Sequence, residues 1–190
     1  RGTTGAPRFD MTVSQGGTWL MDLDTKIPNN FAVNPTTKEL YEIDLMEVER
    51  AAGREAFQTG RLQTYNLSMR GGSDQIRYYA AAEWEDNEGI VSYNWQNGIN
   101  LRGNMSVLPS DKVSVDLSTG YVTGNTRFAQ AFTGYDIWAQ YIFGNPNGLT
   151  AATRGFLRAT PESLEDLEST RETSRFIGGL TLRHDPISWF

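Results

Sequence analysis

The chain has no cysteine, a single histidine and only three lysines in its 190 residues. Without cysteine it can form neither disulfide staples nor thiolate metal sites, which suits passage through an oxidising compartment without mispairing. With 23 acidic against 17 basic residues, a formal charge of -6 and a pI near 4.8, it lacks the clustered positive charge that binding to phosphates requires. Nucleic acid is therefore not an expected partner. No run of 18 apolar residues occurs, which excludes a membrane-spanning helix, and no charged-apolar-small leader follows Arg1. His184 stands without a carboxylate and nucleophile at a catalytic spacing, and neither GxSxG nor HExxH is present. No cofactor and no metal are expected.

What the chain does have is period two. Alternation marks six strands, at about 8-14, 62-70, 75-85, 98-107, 112-122 and 175-184. Helical periodicity is confined to Asp44 to Ala52 and to Pro161 through about Arg171, where Thr160 can cap and Pro161 fills the first turn. Sorting each strand by face gives one set without charge: Phe9, Met11, Val13; Tyr65, Leu67, Met69; Ile76, Tyr78, Ala80, Ala82, Trp84; Ile99, Leu101, Gly103, Met105, Val107; Val113, Val115, Leu117, Thr119, Tyr121; Phe176, Gly178, Leu180, Leu182. The alternate set collects Arg8, Asp10, Arg70, Arg77, Glu83, Glu85, Arg102, Asp116 and Arg183. A soluble antiparallel sheet with one face on a core would show the same contrast.

Connection lengths separate the two cases. Gly71-Gly72-Ser73-Asp74 and Leu108-Pro109-Ser110-Asp111 are tight turns, whereas about 47 residues, a dozen residues and more than 50 residues make up the other three links. Short and long alternate, as in outer-membrane barrels with short periplasmic turns and long extracellular loops; structureless links of this length are uncommon in a compact soluble domain. Tyr65, Trp84, Tyr121 and Phe176 stand at the long-loop ends of the uncharged face, where an aromatic girdle would meet the membrane interface, Ile99 being the exception.

The stretch Gly60 to Gly89, GRLQTYNLSMRGGSDQIRYYAAAEWEDNEG, resembles a barrel hairpin of the SusC/RagA-type TonB-dependent transporters, which commonly read YNLS, a small residue or two, GGS, a polar turn, RYY and an acidic-Gly end. The opening RGTTGAP is similar to the junction between plug and first barrel strand. The resemblance implies an all-β chain, an antiparallel up-and-down transmembrane β-barrel segment of about six strands, with short helices in long extracellular loops. Residues 1-190 would then be the first barrel strands of a barrel of about 22 strands, with plug and remaining strands outside this sequence and a seventh strand starting at Ile187 to Phe190.

The implied function is TonB-dependent uptake across the bacterial outer membrane of a bulky nutrient, an oligosaccharide or glycan fragment foremost, with no enzymatic step. The implied partners are outer-membrane lipid, the TonB complex acting through the plug, and a SusD-like surface lipoprotein. Candidate substrate-binding residues are the loop aromatics Tyr93, Trp95, Tyr135 and Trp138, with Phe132, Tyr141 and Phe143 beside them; stacking on sugar rings and packing of the loops on themselves both account for them. Arg77, Glu83, Arg102 and Asp116 are expected to face the lumen. The acidic residues Asp86, Glu88, Glu162, Glu165, Asp166 and Glu168 follow no EF-hand spacing, and Glu162, Glu165 and Asp166 sit where a solvated helix face would put them. Two other classes remain open: a soluble β-sandwich carbohydrate-binding module, and a β-rich glycoside hydrolase using Glu83 and Glu85.

Overall fold

The computed structural model describes residues 2-129 and 134-186. Its main feature is one layer of six antiparallel strands in the order β1 (Gly5–Thr18), β4 (Gly60–Gly72), β5 (Ile76–Glu88), β6 (Trp95–Ser110), β7 (Val113–Arg127) and β8 (Thr170–His184). All six expected strands are present, and each is longer than the alternation alone indicated. Every strand pairs with its neighbour in the sheet in an up-and-down sequence, and the sheet stays open, so β1 and β8 are both edges. The segment Ile187 to Phe190, expected to begin a further strand, lies outside the described residues.

Register fixes the faces. Reading across the sheet, Met11 pairs with Leu67, Leu67 with Ala82, Ala82 with Leu101, Leu101 with Tyr121 and Tyr121 with Phe176. One residue away, Asp10, Ser68, Ala81, Arg102, Gly120 and Ile177 form a rung that points to the other side. Because side chains alternate strictly along a strand, one rung determines the rest. The uncharged set of the sequence falls on one face throughout. Ile177 is an apolar residue on the polar face, at the sheet edge.

Turns do what their residues dictate. Gly72 has φ +145°, a conformation open to glycine, and a side chain there would run into the Ile76 carbonyl and the Arg77 backbone. Ser73 then donates its backbone N–H to Ile76 O at 2.6 Å, and its Oγ accepts from Ile76 N at 3.2 Å, closing the β4-β5 hairpin. The β6-β7 link is equally tight, with Lys112 N donating to Ser110 Oγ at 3.4 Å and a register shift before Ser110.

At the opposite end the links are 19-59, 89-94 and 128-169. The middle one is shorter than the expected dozen residues because β5 and β6 keep pairing up to Glu88 and Trp95. Where no regular element beyond two helices was expected, the first link also holds α1 (Leu23–Lys26) and a hairpin of β2 (Asn30–Val33) and β3 (Leu40–Ile43). The helix expected from Asp44 is α2 (Leu45–Ala51), with Asp44 Oδ1 accepting from Glu47 N at 3.0 Å. The third link adds α3 (Ile137–Ile142), a one-turn 3-10 helix at Pro146–Gly148 and α4 (Pro161–Glu165). The last is capped by Thr160 as expected but ends well before Arg171, because residues from Thr170 onward are recruited into β8 against Arg127.

The hydrophobic core lies in these links and not under the sheet. Ile27, Leu45, Tyr93, Tyr141, Phe156 and Leu164 are buried together beyond the end of the strands. Leu164 has no exposed surface. Leu164→Ala should cost about 2–5 kcal/mol of local stability; limited proteolysis should then cut faster within 145-166 while the pairing of β4 to β7 persists.

Candidate functional site

Two surfaces qualify: the polar face of the sheet and the folded cap made by the long links. The four residues expected to face a lumen, Arg77, Glu83, Arg102 and Asp116, do share one face. Arg77 and Asp116 stand on a single rung with Ser106 between them, and Glu83 is on the rung of Asn66, Asn100, Val122 and Arg175. Ser106 Oγ donates to Asp116 Oδ1 at 2.5 Å, Asn66 Nδ2 to Glu83 Oε2 at 3.3 Å and Gln96 Nε2 to Glu85 Oε1 at 2.7 Å. The pair of carboxylates raised as a hydrolytic candidate is thus occupied by amide donors from adjacent strands. They border an open cavity of about 350 Å³ near the cap, with Gln96, Asn100, Phe128 and Arg171 around it.

Gly2 belongs to this face too. A side chain at that position would meet Tyr78 N at 2.6 Å, and Gly2 borders a cavity of about 670 Å³ together with Arg77, Asn104, Ser106 and Arg183.

In the cap, the aromatic candidates part company. Tyr93 is 4% exposed, so its ring faces neighbours and not solvent. Burial first, then the Glu165 and Asp136 carboxylates, push its hydroxyl above the ordinary tyrosine value. Trp138 is partly buried, with its ring 5.2 Å from that of Phe57. Trp95 is not in a loop: it is the first residue of β6, paired with Glu88 and Arg127. Tyr135 is exposed, and the Arg158 guanidinium lies over its ring at 5.5 Å. Phe143 is exposed as well, while Tyr141 is core and Phe132 lies outside the described residues. Among the described residues the aromatic side chains therefore form no continuous stacking platform; Tyr93 and Tyr141 hold the cap together, and Tyr135 is offered outward.

A buried charge network that sequence patterning did not single out organises the cap. Glu49, on α2, is 1% exposed and accepts from Arg54 through both oxygens, at 2.9 and 3.0 Å. Arg154 donates to the same carboxylate at 3.0 Å and to Glu162 at 2.7 Å. Arg154 holds φ 48°, a left-handed conformation that a non-glycine residue adopts only when its surroundings require it. Gln140, fully buried, donates to Gly134 O at 2.7 Å and accepts from the backbone of Arg158 and Ala159 at 2.8 and 3.0 Å. Nothing in a linear reading joins Glu49 to Arg154, because four strands and their links intervene.

Of the six acidic residues weighed from the sequence, three are held in ion pairs. Arg61 bridges Asp86 at 3.1 Å and Glu88 at 3.0 Å across β4 and β5. Glu162 pairs with Arg154, whereas Glu165, Asp166 and Glu168 are exposed. Among the described residues no three acidic or histidine side chains are grouped as metal ligands would be. His184 ends β8 opposite Val113, away from any of these clusters.

Glu162 gives a pH handle on the cap. Burial alone would raise its carboxyl, but hydrogen bonds from Arg154, its own backbone N–H and Thr160 outweigh that and hold the pKa below the ordinary carboxylate value. A carboxyl lowered in the folded state contributes stability above the unfolded-state pKa and loses it as pH falls through the lowered value. Near-ultraviolet circular dichroism from Tyr141 and Phe156 should therefore stay constant at neutral pH and weaken only below the ordinary carboxylate range, and Glu162→Gln should flatten that acid limb.

No protein-family model matches the chain, and no curated protein matches it significantly.

Proposed function

We propose that this chain is part of the wall of a bacterial outer-membrane β-barrel, the early strands of a TonB-dependent transporter of the SusC/RagA type, serving uptake of a bulky nutrient, an oligosaccharide or glycan fragment foremost. One observation carries the proposal. Fourteen large apolar side chains of a single sheet face stand open, from Tyr121 at 38% to Leu180 at 72% exposure. A typical soluble monomer shows a largest apolar patch of about 300–600 Å², room for only a handful of half-open side chains of this size. Hydrocarbon is the solvent that makes such a face favourable.

The apolar band also has edges. On β5 it runs from Ile76 to Trp84, about 27 Å of antiparallel strand, or roughly 20 Å along the membrane normal at a tilt of about 40°. Tyr65 and Trp84 pair at its upper margin, with ring centroids 5.3 Å apart. One rung higher, the same face reads Gln15, Gln63, Asp86, Asn97, Asn125 and Glu172, with no apolar member. On β7 and β8 the margin falls two residues lower, at Tyr121 and Phe176, with Thr123 and Ser174 taking the level of Trp84. A membrane plane crossing tilted strands would cut the rungs obliquely in this way.

Topology supports the same orientation. The tight turns would be periplasmic and the folded cap extracellular, beside a SusD-like lipoprotein, while the plug that TonB pulls on would lie against the polar face, where Gly2 already rests. A soluble β-sandwich needs a second sheet over the apolar face; among the described residues the only other sheet is the β2-β3 ribbon, and Leu67, Leu101 and Leu117 are exposed.

Two measurements test the proposal. The intact protein should sediment with outer membranes and need detergent to stay dispersed; a monomer soluble without detergent would end the transporter reading. Ala80 lies at the middle of the band, so Ala80→Arg should cost about 2–4 kcal/mol in lipid, against about 0.5 kcal/mol or less for an exposed position in water. Urea unfolding in bilayers reads the difference, with Asn100→Arg on the polar face as the mild control.

A further inference from the structure

The three long links meet around one cleft of the cap. It has a volume of about 260 Å³ and takes its walls from 49-58, 92-93 and 161-165, beyond the strand ends and apart from the polar face of the sheet. Glu49 and Tyr93, at 1% and 4% exposure, both border it. The Tyr93 hydroxyl is buried and has no hydrogen-bond partner among the described residues. A phenol so placed costs free energy unless something supplies the missing bond. Glu165, whose carboxylate acts on that hydroxyl more than any other charge, borders the same cleft.

Charge around the cleft does not balance. Four carboxylates border it, Glu49, Glu55, Glu162 and Glu165. Arg54 and Arg154 are both bonded to Glu49, and Arg154 also to Glu162. Among the described residues Glu55 and Glu165 form no ion pair, which leaves two negative charges in excess. A metal ion would need three such side chains converging, and no such group occurs among the described residues. Two carboxylates and a phenol suit instead a cation with hydrogens to give, the primary ammonium. The volume lies just under the range of about 300–1,000 Å³ for drug-sized ligands, room for one sugar ring. Ser92 can meet hydroxyls, as can the Gln58 amide oxygen, whose N–H goes to Gly89 O at 3.2 Å. Ala56 and Pro161 offer an apolar wall to ring C–H groups. An amino acid would bring a carboxylate of its own into a site already negative, where Arg54 is taken up by Glu49.

We propose that this cleft binds a small protonated amine with hydroxyl groups, an amino sugar, through Glu55, Glu165 and the Tyr93 hydroxyl. The site goes beyond the uptake proposal and does not rest on it, since every residue it uses lies in this chain's own links. An ammonium has three N–H groups to give, one for each carboxylate and one for the phenol oxygen. Ring hydroxyls are left to Ser92 and Gln58. Glu49 takes no part in the contact; clamped by Arg54 and Arg154, it ties α2 to the third link and so holds the walls of the cleft together.

The test titrates the intact protein, in detergent, with glucosamine, N-acetylglucosamine and glucose at a pH that keeps the amine protonated. Glucosamine should bind about tenfold or more tightly than either neutral sugar, with the preference shrinking in high salt. Glu55→Gln and Glu165→Gln, both at exposed positions, should each reduce that preference about threefold or more. Tyr93→Phe keeps the packed ring and removes only the hydroxyl; it should weaken glucosamine binding about threefold or more without lowering the melting temperature. Equal binding of the three sugars overturns the proposal, as does a preference unchanged in both glutamine variants or a Tyr93→Phe protein that binds glucosamine as before. Displacement of glucosamine by ethylammonium or calcium at equal or lower concentration also overturns it, because that would show attraction of any cation and no site for a sugar. These outcomes leave the membrane reading standing. A protein that proves soluble without detergent yet selects glucosamine would end the transporter proposal and keep this one.

Discussion

Register is the constraint on which everything else here depends. Side chains alternate sides along a strand, so sliding any one of the five pairings by a single residue would carry arginines into the apolar face and leucines into the polar one. The cost of such a slip rises with the number of charges that change side, and this sheet has a charge or amide on nearly every rung of its polar face. Hairpin turns set two of the pairings directly, through Gly72 and Ser73 at one and Ser110 at the other. A third, β5 with β6, is closed by the six-residue link 89-94, where Gly89 N donates to Asn94 O at 2.7 Å; the other two are set by patterning, since their links carry no short turn that could count residues.

That is also why so much of the sheet was legible from the amino acids. Six strands, their faces and the alternation of short with long links all follow from a period of two and from a few turn residues. What escaped was whatever depends on contacts between distant segments. Glu49 reads as one of several charges on a short amphipathic helix, and only the folded cap shows it enclosed by Arg54 and Arg154. The β2-β3 hairpin has four residues on each side, too few for alternation to stand out. The helical pattern after Pro161 was overrun because pairing with β7 outcompetes a helix in Thr170 and Arg171. Among the aromatic residues, sequence spacing could not tell Tyr93, sealed in the cap, from Tyr135, turned outward.

The molecule divides its two kinds of burial in space. In the cap, aromatic and aliphatic side chains bury one another, and the charges there are held by partners of opposite sign, as an interior of low dielectric demands. In the sheet, apolar side chains bury nothing within the chain and face outward as a band with abrupt margins. Here the links collect beyond the strand ends, and the acidic residues concentrate with them beside Arg54, Arg61 and Arg154, while five further arginines stand on the turn-side half of the polar face.

The cap draws its core from positions as far apart as Ile27, Tyr93 and Leu164. Such a cluster closes large loops of chain for few contacts, so it gains nothing until the strands beneath it have aligned. The β4-β5 and β6-β7 hairpins, each closed by a handful of residues, are the local units able to form early. The layout favours one order of assembly, in which the sheet comes first and the loop-borne core sets like a keystone over strands already in their proper alignment.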